Sequence, residues 1–393
     1  MPSVVQDPIA AVTYPDPYPY YASLLAERPL SRDTALGLWV ASSAAAVTAV
    51  LSSGRCRVRP PEEPVPRGLV GSPAGLIFGQ LIRMNDGPGR CPLRNAVAGA
   101  IGAVAPRIAG ESARCARLLD EELHPAGAAG RLQDFAFRLP VYAVASLLGA
   151  PRADLATVAE WTRDLVRGFA PAGDAADRAR AAQAAERLMR FFVDVLASGE
   201  AVDALLGRLA REALRGGVDD KEAIVANGVG LLSQACEATA GLIGNTLVAL
   251  AAREPLRKRV LAQPDLLPPV LAEVLRYDPP VQNTRRFVAS AGDVGGQEMK
   301  EGEAVLVVLA AANRDPAANP DPQHFDPSRA EPRCFTFGLG SHQCPGEALA
   351  LGIAQAGVER LMTSGLSFER LAVRHYQPSA NVRIPVFAEE GPS

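Results

Sequence analysis

A glycine-rich stretch of ten residues, Phe337 to Gly346, surrounds a single cysteine, Cys344. Glycines such as Gly338 and Gly340 release the backbone from the usual φ limits, so the chain can fold tightly around one side chain and direct peptide N–H groups at it. A thiolate held in that way gains hydrogen bonds and a lowered pKa, which is the state in which cysteine ligates a metal. The stretch therefore predicts a metal ligand at Cys344; the alternative is a buried, inert cysteine in a glycine-rich turn.

The remaining cysteines are scattered along the chain and form no Cys-x-x-Cys pair. This spacing argues against a structural zinc site and against a disulfide scaffold, and it favours a reducing compartment. The full set is Cys56, Cys91, Cys115, Cys236, Cys334 and Cys344.

Charge and hydropathy exclude several classes of partner. A net charge of −3 over 393 residues provides no basic excess for nucleic acid. The N-terminus has neither the charged start nor the apolar run of a signal peptide, and no stretch free of charge reaches membrane-spanning length. We therefore expect a soluble, cytoplasmic protein that binds neither nucleic acid nor a membrane.

A long helical pattern over residues 221–253 is the element best placed to cross the centre of the molecule. A buried helix should be apolar on all sides, yet Gln234, Glu237 and Thr239 lie in its middle. Each would be costly there unless it is paired or hydrated. The polar residues therefore mark the middle of this helix as a candidate site.

A second helix carries Glu273 and Arg276, which are three residues apart and so lie on one face. An exposed pair of this kind would add little to stability. A further arginine, Arg329, follows in the later stretch Phe-Asp-Pro-Ser-Arg.

The ten residues around Cys344 match the pattern Phe-x-x-Gly-x-x-x-Cys-x-Gly, and with the other motifs, in the same order and spacing, the chain resembles the cytochrome P450 family. The resemblance implies one cytochrome P450 domain over residues 1–393. Its fold would be mostly α with a small β portion, with haem buried between the central helix and the Cys-ligand loop. Glu273, Arg276 and Arg329 would then form a buried group that is structural and holds the haem-binding core.

The resemblance also implies which residues bind haem b. Cys344 would ligate the iron as a thiolate. Thiolate is the axial ligand that favours O–O cleavage. Arg94 fits one propionate-binding position, and Arg90 stands where the family usually has histidine; a guanidinium can bind a carboxylate at least as well. Cys334 also replaces a usual histidine. The other implied cofactor-binding residues are Arg286, His342, Phe337, Gly338 and Gly346.

In the family, an acid followed by threonine on the central helix relays protons during oxygen activation. If Glu237 is the acid, Ala238 occupies the usual threonine position and Thr239 follows it. A substrate hydroxyl or an ordered water could complete the relay, Gln234 or Thr239 could replace the missing alcohol, or the reaction could need little proton delivery. For Thr239, the alternative is a hydrogen bond back to the preceding turn of the helix.

The function implied is that of a bacterial haem-thiolate monooxygenase of secondary metabolism. It would hydroxylate or oxidatively couple a small organic substrate with O2 and with electrons from a ferredoxin and ferredoxin reductase. A peroxide-driven haem oxidase is one alternative. A haem-binding sensor or carrier without turnover is another, and only Ala238 supports it.

Overall fold

The computed structural model describes residues 5, 7–86, 90–170, 173–199 and 201–388. The ends of the domain that we predict over residues 1–393 therefore lie outside the described residues. Within them the fold is mostly α with a small β portion, which confirms the predicted class.

Helices make up most of the described chain. They are α1 (Tyr18–Glu27), α2 (Ala44–Ser52), α3 (Pro73–Gln80), α4 (Arg90–Leu123), α5 (Ala129–Leu148), α6 (Leu155–Phe169), α7 (Ala175–Ala197), α8 (Leu205–Arg215), α9 (Lys221–Ala251), α10 (Glu254–Ala262), α11 (Leu267–Tyr277), α12 (Leu309–Asn313) and α13 (Glu347–Thr363). Short 3-10 turns connect several of them, and the turn Ile82–Met84 and the turn Gly340–His342 contribute to the site.

Short strands form three small sheets. They are β1 (Leu30–Asp33), β2 (Leu38–Ala41), β3 (Cys56–Arg57), β4 (Thr284–Val288), β5 (Gly292–Val294), β6 (Gln297–Met299), β7 (Ala304–Val307), β8 (Val373–Tyr376) and β9 (Pro385–Phe387). The main sheet has the order β1-β2-β7-β4-β3, in which only β2 and β7 are parallel, and β5-β6 and β8-β9 are two-stranded. On β4, Arg286 is buried, whereas the neighbouring Arg285 is exposed.

The central helix predicted over residues 221–253 is α9, which ends two residues earlier, at Ala251. Asp220 precedes it as the N-cap, and its side chain accepts a hydrogen bond from the Ala223 N–H and so caps the first turn. Apolar side chains around most of its circumference are buried against α5, α7 and α13. The helix is therefore a fixed axis from which its few polar side chains project.

The predicted group of Glu273, Arg276 and Arg329 is present and buried. Arg276 donates to the Glu273 carboxylate at 2.6 and 2.8 Å, and Arg329 Nε lies 3.3 Å from the same carboxylate. The side chains of Arg276 and Glu273 are 0% and 2% exposed. Arg276 also donates to the backbone carbonyls of Pro322 and His324. The group thus attaches α11 to the chain that leads to the ligand loop.

No single helix in the described ranges combines the length and hydropathy needed to cross a membrane, although α9 and α10, which meet at 111°, pass by length and composition when taken together.

We expect Glu273→Ala to destabilise the protein by about 3–5 kcal/mol, because it leaves Arg276 buried without a counter-charge. Urea unfolding measures the change in free energy. The matched control is Glu254→Gln, which removes the 2.7 Å pair with Lys258, whose partners are 59% and 71% exposed, and should cost about 0–1 kcal/mol. Equal losses in the two variants would contradict a structural role for Glu273.

Candidate functional site

The loop around Cys344 is closed by backbone hydrogen bonds. The Cys344 N–H donates to the Phe337 carbonyl at 2.8 Å, and the Gly346 N–H donates to the Cys344 sulfur at 3.3 Å. Gly338 and Gly340 have φ values of +70° and +66°, which side chains disfavour. Gly346 has an ordinary φ of −95°, so its contribution is the N–H rather than backbone freedom. The loop holds one sulfur with a donor directed at it.

The Cys344 thiol differs from the sequence prediction in one respect. Cys344 is an exposed residue, yet partial burial by the surrounding protein raises the pKa of its thiol. The Gly346 N–H, Arg83 and Arg94 lower that pKa without outweighing the burial, and Glu347 raises it further. The predicted lowered pKa is therefore wrong for the thiol itself. Coordination to a metal deprotonates a thiol outright.

Two arginines at the start of α4 bind the ligand loop. Arg90 donates to the Ser341 carbonyl at 2.7 Å and to the Ile82 carbonyl at 2.7 Å. Arg94 donates to the Gln343 carbonyl at 3.2 Å, and its Nε is buried with no hydrogen-bond partner in the described part of the chain. A buried, unpaired guanidinium nitrogen is costly, and a carboxylate would satisfy it.

Arg286 on β4 and His342 on the ligand loop join the same cluster through Asp86. The His342 Nε2 lies 2.8 Å from a carboxylate oxygen of Asp86. Burial raises the pKa of Asp86, but its hydrogen bonds with His342 and the Val58 N–H outweigh that effect, so the pKa is below its ordinary value. Burial lowers the pKa of Arg286, and the charge of Asp86 raises it again. The structure thus brings all four predicted propionate-binding residues together.

On α9 the predicted relay residues differ in their contacts. The Gln234 amide donates back to the Gly230 carbonyl at 2.8 Å. Thr239 is 1% exposed, and among the described residues its hydroxyl has no hydrogen-bond partner, so it does not bond back to the preceding turn. Burial raises the pKa of Glu237, and Arg83 lowers it. Ala238 is partly exposed beside them.

Glu237 also lines a cavity of about 230 Å³ between α5, α6 and α9. The charged side chains of Arg163 and Arg167 from α6 lie along its wall, and Gln377, after β8, lines it as well. Water can therefore approach the carboxyl from this side.

Sequence reasoning missed three residues of the site, Arg83, Asp86 and Asn227. Asn227 on α9 accepts a hydrogen bond from the Ile82 N–H at 3.0 Å and donates to the Gln80 carbonyl at 2.8 Å. The charges of Glu237 and Cys344 both act on Arg83. An arginine inside the apolar run Leu-Ile-Arg-Met was the available signal for Arg83.

The residues present fit a haem group. A sulfur donor lies in the ligand loop, and guanidinium groups with an unpaired nitrogen lie beside it, as a metal ligand and two propionates require.

The same conclusion follows from known proteins. The family model for "Cytochrome P450" matches residues 217–363. Cytochrome P450 107B1 of Saccharopolyspora erythraea is 33% identical over 285 residues, which cover 70% of this chain and 68% of that protein. The 20-oxo-5-O-mycaminosyltylactone 23-monooxygenase of Streptomyces fradiae is 29% identical over 87% of this chain and 81% of that protein. The crystal structure of CalO2 is similar at 29% identity, with a TM-score of 0.79 and 98% of each chain covered.

Fold and sequence relatives together define the class of haem-dependent oxidoreductases. The chain belongs to the cytochrome P450 family, which confirms the resemblance seen in the sequence. It is therefore a monooxygenase-family enzyme with a haem cofactor.

We expect Arg94→Gln to release haem about ten to a hundred times faster, because a charge-assisted hydrogen bond contributes about 1.5–3 kcal/mol. Transfer of haem to apomyoglobin measures the rate. Arg107→Gln is the matched control, because this arginine is on the same helix and donates only to the exposed Asp203 carbonyl among the described residues. Similar rates for both variants would remove Arg94 from the propionate site.

We also expect Glu237→Gln to be more stable relative to wild type at neutral pH than it is at acid pH. Because the folded pKa of Glu237 is raised, the unfolded chain ionises first as pH rises, and wild type loses stability above the ordinary glutamate pKa. Urea unfolding between pH 4 and pH 8 should show the gap between variant and wild type widening with pH. Glu186→Gln, at a pair whose partners are 62% and 71% exposed, is the control. A gap that is constant with pH would contradict the raised pKa.

Proposed function

We propose that this chain forms one domain over residues 1–393 that binds haem b and oxidises a small organic substrate in bacterial secondary metabolism. The observation that carries the proposal is the Cys344 sulfur, held by the Gly346 N–H at 3.3 Å beside a cluster of guanidinium groups. Haem bound there would supply the activation of O2, which a thiolate ligand favours. Arg90, Arg94, Arg286 and His342 orient the cofactor through its propionates.

Proton delivery is the step in which this chain departs from the family pattern. Burial keeps a proton on the Glu237 carboxyl to a higher pH than usual, so this group can carry a proton from the cavity beside α6 toward the substrate. Gln234 is occupied by the Gly230 carbonyl, whereas the Thr239 hydroxyl is unpaired and buried. Ala238 contributes no hydroxyl. We infer that a substrate hydroxyl or an ordered water, with Thr239 as the nearest alcohol in sequence, completes the path.

Electrons would come from a ferredoxin and its reductase in the cytoplasm. The name of the Streptomyces fradiae relative, a monooxygenase acting on a mycaminosyltylactone, supports a role in secondary metabolism.

The test is the visible spectrum of the ferric holoprotein during titration with terpenoids, polyketides, aromatic acids and cyclic dipeptides, followed by turnover with ferredoxin, ferredoxin reductase and NADPH. A thiolate-type spectrum that shifts with one class, and a product that requires electrons, would support the proposal. Product formed with peroxide alone would indicate the peroxide-driven alternative. Binding without any product would favour the sensor or carrier.

We expect Cys344→Ser to lose the thiolate-type spectrum of the reduced carbon monoxide complex completely, because the hydroxyl does not supply a thiolate. Cys91→Ser is the matched control, since Cys91 is an exposed cysteine on α4. Retention of the thiolate spectrum in Cys344→Ser would exclude Cys344 as the ligand.

We expect Ala238→Thr to change coupling between electron use and product. If a substrate hydroxyl or a water completes the proton path, the new threonine hydroxyl competes with that group for the proton. The amount of NADPH consumed per molecule of product should then rise several-fold. Thr239→Val is the comparison, because it removes the hydroxyl of Thr239 while the volume of the side chain stays nearly the same. An Ala238→Thr enzyme that is faster and better coupled would contradict a substrate-assisted path.

A further inference from the structure

Asn227 is a buried polar residue on the central helix α9, and its side-chain amide is bonded at both the nitrogen and the oxygen. The residue is 3% exposed. The amide oxygen accepts a hydrogen bond from the Ile82 N–H at 3.0 Å, and the amide nitrogen donates to the carbonyls of Gln80 at 2.8 Å and Ala223 at 2.9 Å. Such an amide has one favourable orientation, because any other leaves a buried polar atom unpaired.

These hydrogen bonds attach the end of α3 and the following 3-10 turn to α9. Gln80 is the last residue of α3, and Ile82 is the first residue of the turn. Leu81 lies between them and is fully buried, and a Cβ added to Gly230 of α9 would come within 2.5 Å of a Leu81 methyl carbon. The peptide groups of Ile82 are therefore held in a fixed position relative to α9.

The carbonyl of Ile82 binds the guanidinium of Arg90. Arg90 Nε donates to this carbonyl at 2.7 Å, and a terminal nitrogen of the same guanidinium donates to the Ser341 carbonyl in the ligand loop at 2.7 Å. Ile82 is thus bonded to α9 through its N–H and to the ligand loop through its carbonyl and Arg90. Arg94 differs, because it donates to the Gln343 carbonyl of the ligand loop, and in the described part of the chain no hydrogen bond joins it to the turn.

The two carbonyls that Arg90 binds determine the direction of its remaining N–H groups. A guanidinium is a rigid plane with five N–H donors, so fixing two of its nitrogens fixes the direction of the third. The remaining N–H groups are those that a carboxylate can accept. Any displacement of the Ile82 carbonyl would therefore turn them away from their present direction.

We propose that Asn227 is a positioning residue for the haem site: by holding Ile82, it sets the orientation in which Arg90 presents its remaining N–H groups to a haem propionate. This inference rests on the proposed role of Arg90 in propionate binding. If Asn227 only stabilised the packing of α3 on α9, its removal would act on the protein independently of Arg90.

We expect Asn227→Ala to release haem to apomyoglobin about tenfold faster than wild type, because a misaligned arginine forms a weaker charge-assisted hydrogen bond with the propionate. Asn245→Ala is the matched control. Asn245 is also a buried asparagine of α9, at 1% exposed, and its amide donates to the carbonyls of Asp278 and Arg383. This control loses comparable hydrogen bonds from the same helix, but it should release haem at the wild-type rate.

A second variant removes only the hydrogen bond between Ile82 and Asn227. Ile82→Pro deletes the N–H and keeps the carbonyl that Arg90 binds. Proline is tolerated at the first position of a helical turn and after an extended residue, and Leu81 has a φ of −63° and a ψ of 121°. Haem release should accelerate as in Asn227→Ala, whereas Ile82→Val, which keeps the N–H, should match wild type.

Double variants show whether Asn227 acts through Arg90. Asn227→Ala should add nothing to the release rate of Arg90→Gln, because the group that it positions is already removed, and it should add its full effect to Arg94→Gln. Resonance Raman spectra of the ferric holoprotein give a second readout, since the propionate bending bands respond to hydrogen bonding of the propionates. These bands should move in Asn227→Ala and in Arg90→Gln, and they should stay unchanged in Asn245→Ala.

Equal release rates for Asn227→Ala and Asn245→Ala would overturn the assignment, as would unshifted propionate bands or an undiminished effect of Asn227→Ala in the Arg90→Gln background. If Asn227→Ala does not fold, the comparison of Ile82→Pro with Ile82→Val decides in the same way. A response of Arg90→Gln without one of Asn227→Ala removes only the role of Asn227. An Arg90→Gln variant with wild-type rate and bands removes the role of Arg90 as well, and a wild type without a thiolate-type spectrum contradicts the proposed function itself.

Discussion

The position of the ligand loop depends on a buried ion pair between Glu273 and Arg276. Arg276 is fully buried and donates to the chain after α12, and the Glu273 carboxylate also accepts the Asp326 N–H at 2.8 Å. Such a pair contributes little net stability, because desolvation offsets the attraction of the charges. The pair instead restricts how α11 and the chain after α12 can pack together, since any other packing would leave a buried charge unpaired. The segment that precedes the ligand loop is held by this requirement.

Hydrogen bonds extend that constraint to the loop itself. Asn313 accepts the Phe335 N–H at 2.6 Å and donates to the Thr336 hydroxyl at 3.0 Å, and Thr336 donates to the Leu275 carbonyl at 2.7 Å. The segment leading into the loop is therefore attached to the end of α11 before the glycine turn begins. The sulfur of Cys344 is positioned by a rigid scaffold rather than by the loop alone.

Much of the fold and of the ligand loop could be predicted from the sequence, because the residues that determine them lie close together in the chain. The glycine spacing around Cys344, the three-residue spacing of Glu273 and Arg276, and the length of the apolar pattern in α9 each specify their own geometry. Arg83 and Asp86 could not be assigned in the same way, since their roles come from charges that approach from distant parts of the chain. The predicted direction of the Cys344 pKa shift is wrong for the same reason. Burial by the whole fold raises this pKa by more than the local Gly346 N–H lowers it.

Asp86 balances the charge of the arginine cluster. Arg90 and Arg286 repel each other, and Asp86 attracts both, so this carboxylate is the internal counter-ion of the cluster. The polypeptide thus brings like charges together by means of an anion of its own, and the arrangement of Arg90 and Arg286 depends on a residue that is itself neither arginine's neighbour on the same helix nor a member of the same sheet.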